Sequence, residues 1–262
     1  MKKAMAVILA AVMALSCAAA LAEAWTCEVC GLSGNTRNFC PECGAPKPAA
    51  AGKSAASSSV RAGDSVFFGR TEQDNNTHNG DEPIEWVVLE TDGDRALVMT
   101  KLGIVAAKYT NNSNAQTWAN CTLRETLNGS WYYASFTSAE KSAIQVTAVT
   151  DGPDDWDPAH MPNAARDTRN TEDRIFILSY GEISRLLPTA NERRCYASAY
   201  VSAHGGNARS ASSYCWYWLR NPAFRNNAGA VDTDGTLATC YMNHDYGIAR
   251  PACWVSLSAL GY

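Results

Sequence analysis

The sequence predicts an α+β chain in which antiparallel strands are flanked by two helices and preceded by a small metal-binding segment. Three observations predict it. The run Tyr214-Cys-Trp-Tyr-Trp-Leu-Arg220 and its echo Gly247-Ile-Ala-Arg-Pro-Ala-Cys-Trp-Val255 are dense in aromatic residues and alternate as strands do. Between residues 117 and 144 the apolar positions shift to a spacing of three and four, the period of a helix face. Near the N-terminus four cysteines fall in two Cys-x2-Cys pairs, the spacing of a structural zinc site.

The chain begins with the basic Met1-Lys-Lys3, an apolar run from Ala4 to Ala14, and the small-x-small sites Ala20-Leu-Ala22 and Ala22-Glu-Ala24. Residues 1–22 therefore read as a secretory signal peptide, its apolar part too short to span a bilayer. Later stretches never approach the length of a transmembrane helix, so none is expected in the mature chain, which should be secreted or cell-envelope associated. Cys17, after Leu15-Ser16, offers lipid anchoring as an alternative, although Ala14 stands where a large aliphatic residue is usual. Losing Lys2 and Lys3 moves the formal charge from -4 to -6 and leaves no basic patch. Nucleic acid is not an expected partner of such a chain.

Residues 23–46 carry Cys27, Cys30, Cys40 and Cys43, with Gly31 and Gly44 after the second cysteine of each pair. Four thiolates on two tight knuckles can close a tetrahedron around one structural Zn²⁺, and a segment with so little apolar core draws most of its folding free energy from the metal. Two disulfides are the alternative in an exported chain. Asn38-Phe-Cys-Pro-Glu-Cys-Gly44 resembles the second knuckle of small bacterial zinc ribbons. Residues 47–60 are Ala, Ser, Gly, Lys and Pro up to the closing Val60, a composition that reads as a flexible linker.

Residues 61–262 form the main domain. A strand is expected over residues 62–69, then a hairpin of Ile84 to Leu89 and Arg95 to Thr100 turning at Asp92-Gly93, with Trp86 inward. A helix follows over residues 117–128, capped by Asn120 or Thr122 and burying Leu123 and Leu127. Thr137-Ser-Ala-Glu140 is a capping box that starts the second helix. Asp151, Asp154, Asp155 and Asp157 cluster in a loop where Ca²⁺ is a weaker possibility, the spacing matching no known calcium motif. A buried strand is expected over residues 174–179 and a short helix over residues 180–187.

Trp218-Leu-Arg220 followed by Asn221-Pro222, then Ala230-Val-Asp-Thr-Asp-Gly235, then Gly247-Ile-Ala-Arg-Pro251, is similar to the ending of the DUF6273 domains. The order Trp118, Leu123-Arg124, Leu127-Asn128 and Phe136-x-x-x-Glu140 resembles the same family. This ending also looks like the closing hairpins of C-type-lectin-like proteins, including formylglycine-generating-enzyme-like domains. The resemblance implies a C-type-lectin-like mixed domain and carries no activity by itself. The reactive cysteines of formylglycine-generating enzymes have no match here.

Trp86, Arg124, Trp216, Trp218, Arg220, Arg250 and Trp254 are expected to be structural, the two late arginines tying down loop carbonyls with their five donors. Tyr214, Tyr217, Phe224, Arg225, Asn227, Tyr241, Asn243, His244 and Tyr246 are expected to form a ligand surface, since rings interleaved with amides stack on a sugar or anchor a protein. Cys121, Cys195, Cys215, Cys240 and Cys253 are odd in number; Cys195 with Cys215, or Cys240 with Cys253, would close short loops. The common nucleophile, metalloprotease and phosphate-loop motifs do not occur, and no catalytic residue is expected. The chain thus reads as a non-enzymatic extracytoplasmic module recognising an extracellular protein or glycan. A purely structural envelope module and a hydrolase or modifying enzyme are the alternatives.

Overall fold

The computed structural model describes residues 24–27, 29–35, 39–43, 60–111, 117–150, 170–205, 213–223, 226–245 and 247–262. The expected signal peptide with Cys17, almost all of the expected linker, the acidic run at 151–157, Phe224, Arg225 and Tyr246 lie outside the described residues. The chain divides into two compact units, Met1–Ala56 and Ser57–Tyr262.

In the larger unit, β1 (Ser65–Thr71), β2 (Glu82–Asp92), β3 (Arg95–Thr100) and β13 (Ala252–Ser256) make one antiparallel sheet in the order β1-β2-β3-β13. The C-terminal strand thus closes onto the first hairpin. Ile84, Trp86 and Val88 alternate inward along β2 and are all buried, as a period of two requires. Trp86 stacks on Phe68 at 4.7 Å and donates its Nε1–H to the Phe68 carbonyl at 2.9 Å. Gly69 has φ +69°, and a Cβ there would collide with the Phe136 ring, so the chain can turn beside this aromatic cluster only at glycine.

The helical region breaks into pieces where one helix was expected. Thr117 and Asn120 cap a single 3₁₀ turn, and α1 (Thr122–Thr126) starts instead at Cys121, whose sulfur accepts the Arg124 N–H at 3.4 Å. After Leu127 the helix widens and kinks at Gly129, with φ -107° and ψ -112°, before α2 (Tyr132–Ser135). Leu123 and Leu127 are buried as expected. The capping box of Thr137 and Glu140 starts α3 (Ser138–Ala143), and Glu140 also accepts the Gly69 N–H at 2.7 Å.

β4 (Val105–Ala106) pairs with β12 (Ile248–Ala249), and β5 (Thr147–Val149) with β6 (Thr171–Asp173). The run expected as a strand over residues 174–179 buries Ile175 to Leu178 but forms no regular ladder. Its backbone groups are spent on different partners: Asn128 takes the Ile175 N–H and C=O, Phe176 exchanges bonds with Ala252, and Arg220 takes the Ile177 and Leu178 carbonyls. Helix α4 (Tyr180–Leu186) follows, capped by Ser179 and Glu182.

The long aromatic run is divided at Trp216. Its first part, β8 (Tyr214–Cys215), pairs with β7 (Cys195–Tyr196), between α5 (Ala190–Arg193) and α6 (Ala199–Ala203). Its second part, β9 (Tyr217–Pro222), joins β10 (Asn227–Val231) and β11 (Leu237–Tyr241) in a sheet ordered β11-β10-β9. Every residue of β9 is buried. All named strand pairs are antiparallel, so the unit is a mixed α+β domain.

Candidate functional site

Two buried arginines hold the bases of the C-terminal loops. Arg220 donates from Nη1 to the Ile177 carbonyl and the Glu182 carboxylate, both at 2.9 Å, and from Nη2 to the Thr150 carbonyl at 3.0 Å. Arg250 donates from Nε and Nη2 to the Thr100 carbonyl at 3.0 and 2.9 Å, and its guanidinium lies 5.1 Å from the Tyr217 ring centre. A planar five-donor group suits such converging carbonyls better than a lysine does.

The β10–β11 turn docks on α5 and on Arg194 just after it. Gly235, at φ +86°, passes so close to the Ala190 backbone that a Cβ could not fit. Arg193 Nε donates to the Gly235 carbonyl at 2.8 Å, and Arg194 Nε to the Asp234 carbonyl at 3.0 Å. The Arg194 guanidinium also lies 5.3 Å from the Tyr214 ring, which stacks on Tyr196 at 4.5 Å. Between these walls opens a groove of about 700 Å³, lined by Arg194, Ser213, Tyr214, Trp216, Asp232, Thr233 and Asp234. It combines a half-open aromatic ring, a cation and two exposed carboxylates. Asp232 accepts the Thr233 N–H, and Asp234 accepts the Thr236 N–H and hydroxyl. The Thr236 side-chain and backbone bonds hold the Asp234 carboxyl below its ordinary pKa.

The expected ligand residues separate into groups. Tyr214 lines the groove, and His244 lies edge-on to Trp216 at 5.4 Å. Tyr241 and Asn243 are exposed; Asn227 is half-buried. Tyr217 is a correction: it is 1% exposed, its hydroxyl donates to the Arg193 carbonyl at 2.7 Å, and burial pushes its pKa up to about 12. A ring enclosed between Arg193 and Arg250 reaches no ligand.

Among the residues expected to be structural, Trp86, Trp216 and Trp218 are buried, and Trp218 Nε1 donates to the Ala107 carbonyl at 2.9 Å. Trp254 is only half-buried, its outer side covered by the Arg95 guanidinium at 5.1 Å. Arg124 bonds Asp173 at 2.7 Å, and that buried carboxylate also accepts from Trp118 and Thr171. Asp173, Arg193, Arg194 and Tyr196 escape sequence reasoning. The Arg193-Arg194-Cys195-Tyr196 juxtaposition, facing a second Tyr-Cys pair, could have marked the last three; no local signal marks Asp173.

In the smaller unit the sulfurs of Cys27, Cys30, Cys40 and Cys43 all lie within 4.8 Å of one another. The contacts Cys27–Cys43 and Cys30–Cys40 are each 3.4 Å, near the edge of about 3.8 Å that a tetrahedral zinc with sulfur ligands at about 2.3 Å would set. Cys27 and Cys40 are buried, Cys30 and Cys43 exposed. Gly31, at φ +77°, makes the first knuckle and donates its N–H to the Cys27 carbonyl at 2.9 Å. The Cys30 backbone N–H is the main influence lowering the Cys27 thiol to about 7, while at Cys30 the Leu32 backbone N–H is outweighed by the Cys40 contact and burial, which raise its thiol to about 12. These residues fit a metal ion. The other acidic group, Glu72, Asp74 and Glu82, is occupied in holding the β1–β2 loop through the backbone N–H groups of Gln73, Asp74 and Asn76.

The fold and sites define a mixed α+β domain with a shallow aromatic and charged groove, in a chain that carries a separate four-cysteine cluster. The model of a domain of unknown function, DUF6273, matches residues 93–257, and the chain belongs to this family. The match starts at the β2–β3 turn, so β1 and β2 complete the sheet from outside it. No curated protein and no solved structure matches the chain. Among the described residues no helix is long and apolar enough to cross a membrane.

Proposed function

We propose that this protein is a non-enzymatic extracytoplasmic recognition module that binds a glycan in the groove between β7–β8 and the β10–β11 turn. The observation that carries the reading is the Tyr214 ring, 38% exposed and held by Tyr196 and Arg194, in a groove that Asp232 and Asp234 also line. A fixed ring offers a stacking face for the apolar side of a sugar, and the carboxylates and Arg194 offer hydrogen bonds to its hydroxyls. The two arginines and the docked Gly235 turn limit the ordering cost of binding.

Recognition is favoured over hydrolysis by the carboxylates themselves. A glycosidase needs one carboxyl with a raised pKa to protonate the leaving group, whereas Asp234 is held below its ordinary value and both side chains are engaged by their own turn. The four-cysteine unit is read as a zinc ribbon with one structural Zn²⁺, residues 1–22 as a signal peptide, and the larger unit as C-type-lectin-like. Glu72, Asp74 and Glu82, as loop braces, give no support to a calcium-dependent mode.

A glycan array of bacterial envelope polysaccharides tests the reading. Tyr214→Ala combined with Asp232→Asn should reduce capture on the order of tenfold or more with an unchanged circular dichroism spectrum, and Tyr133→Ala, exposed elsewhere, should leave it intact. Undiminished capture by the double variant refutes the groove. A cleaved glycan would overturn the non-enzymatic reading, and capture of envelope proteins in place of glycans would reassign the ligand class.

A further inference from the structure

We infer that Cys195 and Cys215 form a cross-strand disulfide that locks one wall of the groove. The two residues face each other directly in the antiparallel β7–β8 pair. Such partners have Cα atoms about 4.5–5.5 Å apart, inside the range of about 4.4–6.8 Å that a disulfide spans. Each thiol acts on the titration of the other, Cys195 Sγ reaches the Tyr196 carbonyl at 3.2 Å, and both residues are buried, at 2% and 0% exposure. Glycine at residue 103 keeps the space beside the second sulfur open: a Cβ there would stand 2.5 Å from Ile248 Cγ2 and 3.3 Å from Cys215 Sγ.

The other three cysteines of this unit are engaged differently. Cys121 caps α1, Cys253 is the second residue of β13 with burial alone acting on its thiol, and Cys240 lies on β11 in a different sheet.

The chemistry favours Cys195 as the attacking sulfur. Burial acts against its thiolate, but the hydrogen bond from Cys215 and the Arg250 charge outweigh this and bring its pKa down to about 7. With a small or protein disulfide as the oxidant, Cys195 thiolate attacks one oxidant sulfur and expels the other as a thiolate, forming a mixed disulfide. Cys215 then loses its proton to solvent and attacks Cys195 Sγ, displacing the second oxidant thiolate. Two electrons pass from the cysteines to the oxidant, and the exchange takes place as β7 and β8 close during folding.

Arg194, Tyr196, Tyr214 and Trp216 are the sequence neighbours of the two cysteines, and three of them line the groove. The bond therefore holds the wall that presents Tyr214, a consequence that rests on the groove reading above.

The full chain, refolded with glutathione disulfide, alkylated without reduction and digested with trypsin, should yield residues 195–209 joined to residues 210–220. Alkylation of both Cys195 and Cys215, or a bridge from either to another cysteine, overturns the proposal. The oxidised chain should melt about 6–12 °C above the phosphine-reduced chain. That gap should vanish in the Cys195→Ala, Cys215→Ala variant, and a gap that persists there would overturn the assignment. Glycan capture should weaken on reduction of the wild type only. A correct peptide map with capture unaffected by reduction keeps the bond and refutes its hold on the groove.

Discussion

Two arginine–glutamate pairs in this domain have nearly the same length and should differ several-fold in energetic weight. Arg220 meets Glu182 at 2.9 Å with side chains 1% and 29% exposed, whereas Arg185 meets Glu90 at 2.7 Å with side chains 59% and 33% exposed. Replacing each arginine by methionine keeps an apolar stem and removes the guanidinium, so that lost packing contributes little. In Arg220→Met the Ile177 and Thr150 carbonyls and part of the Glu182 carboxylate lose their donors. Stranding a buried acceptor costs about 1–3 kcal/mol, and breaking a buried pair from one side about 3–5 kcal/mol. These overlap as one event, so the variant should lose about 3–5 kcal/mol, or about 6–20 °C in Tm for a domain of this size. Arg185→Met removes a solvated pair worth about 0–1 kcal/mol and should shift Tm by less than about 4 °C. Differential scanning calorimetry of the full chain reads both. Equal shifts would show that Arg220 is not the clamp joining residues 150, 177 and 182, and that the argument from burial fails.

Trp218→Ala should cost about 3–5 kcal/mol, as large buried aromatics do, and Tyr217→Phe about 1–3 kcal/mol because it strands the Arg193 carbonyl; Tyr133→Ala should stay within about 1 kcal/mol. Urea titrations followed by tryptophan or tyrosine fluorescence check the order, and a neutral Tyr217→Phe would contradict its buried hydroxyl bond. Thermal melts from pH 6 to pH 2.5 should show stability falling on the acid side: Asp94, held low by Ser256 and Ser258, and Glu192, held low by Thr189, have folded-state pKa values below their ordinary 3.8 and 4.5. Their stabilisation is complete above those ordinary values and drains as pH falls through the lower folded-state values, so Asp94→Asn should flatten the loss. Metal analysis should find about one zinc per chain, lost in the Cys27→Ser, Cys43→Ser variant; metal-free protein with two disulfides in that unit would refute the ribbon.

What the sequence by itself determined about this protein is local. The four cysteines in two knuckles, the Thr137–Glu140 cap, the inward face of β2 and the DUF6273 ending are legible because the partners lie a few residues apart or repeat with a fixed period. The tertiary structure alone decided the rest. Alternation along β9 shows that Tyr217 and Trp218 point to opposite faces, but only the arrival of Arg193 on one side and Ala107 on the other makes both faces interior. Asp173 reads as an ordinary acid until Trp118, Arg124 and Thr171 converge on it, two of them about fifty residues away. The groove is likewise assembled from Arg194, from Ser213, Tyr214 and Trp216, and from residues 232–234. Its walls meet because arginines donate to distant carbonyls, and a backbone carbonyl, present in every residue, leaves no mark in a sequence.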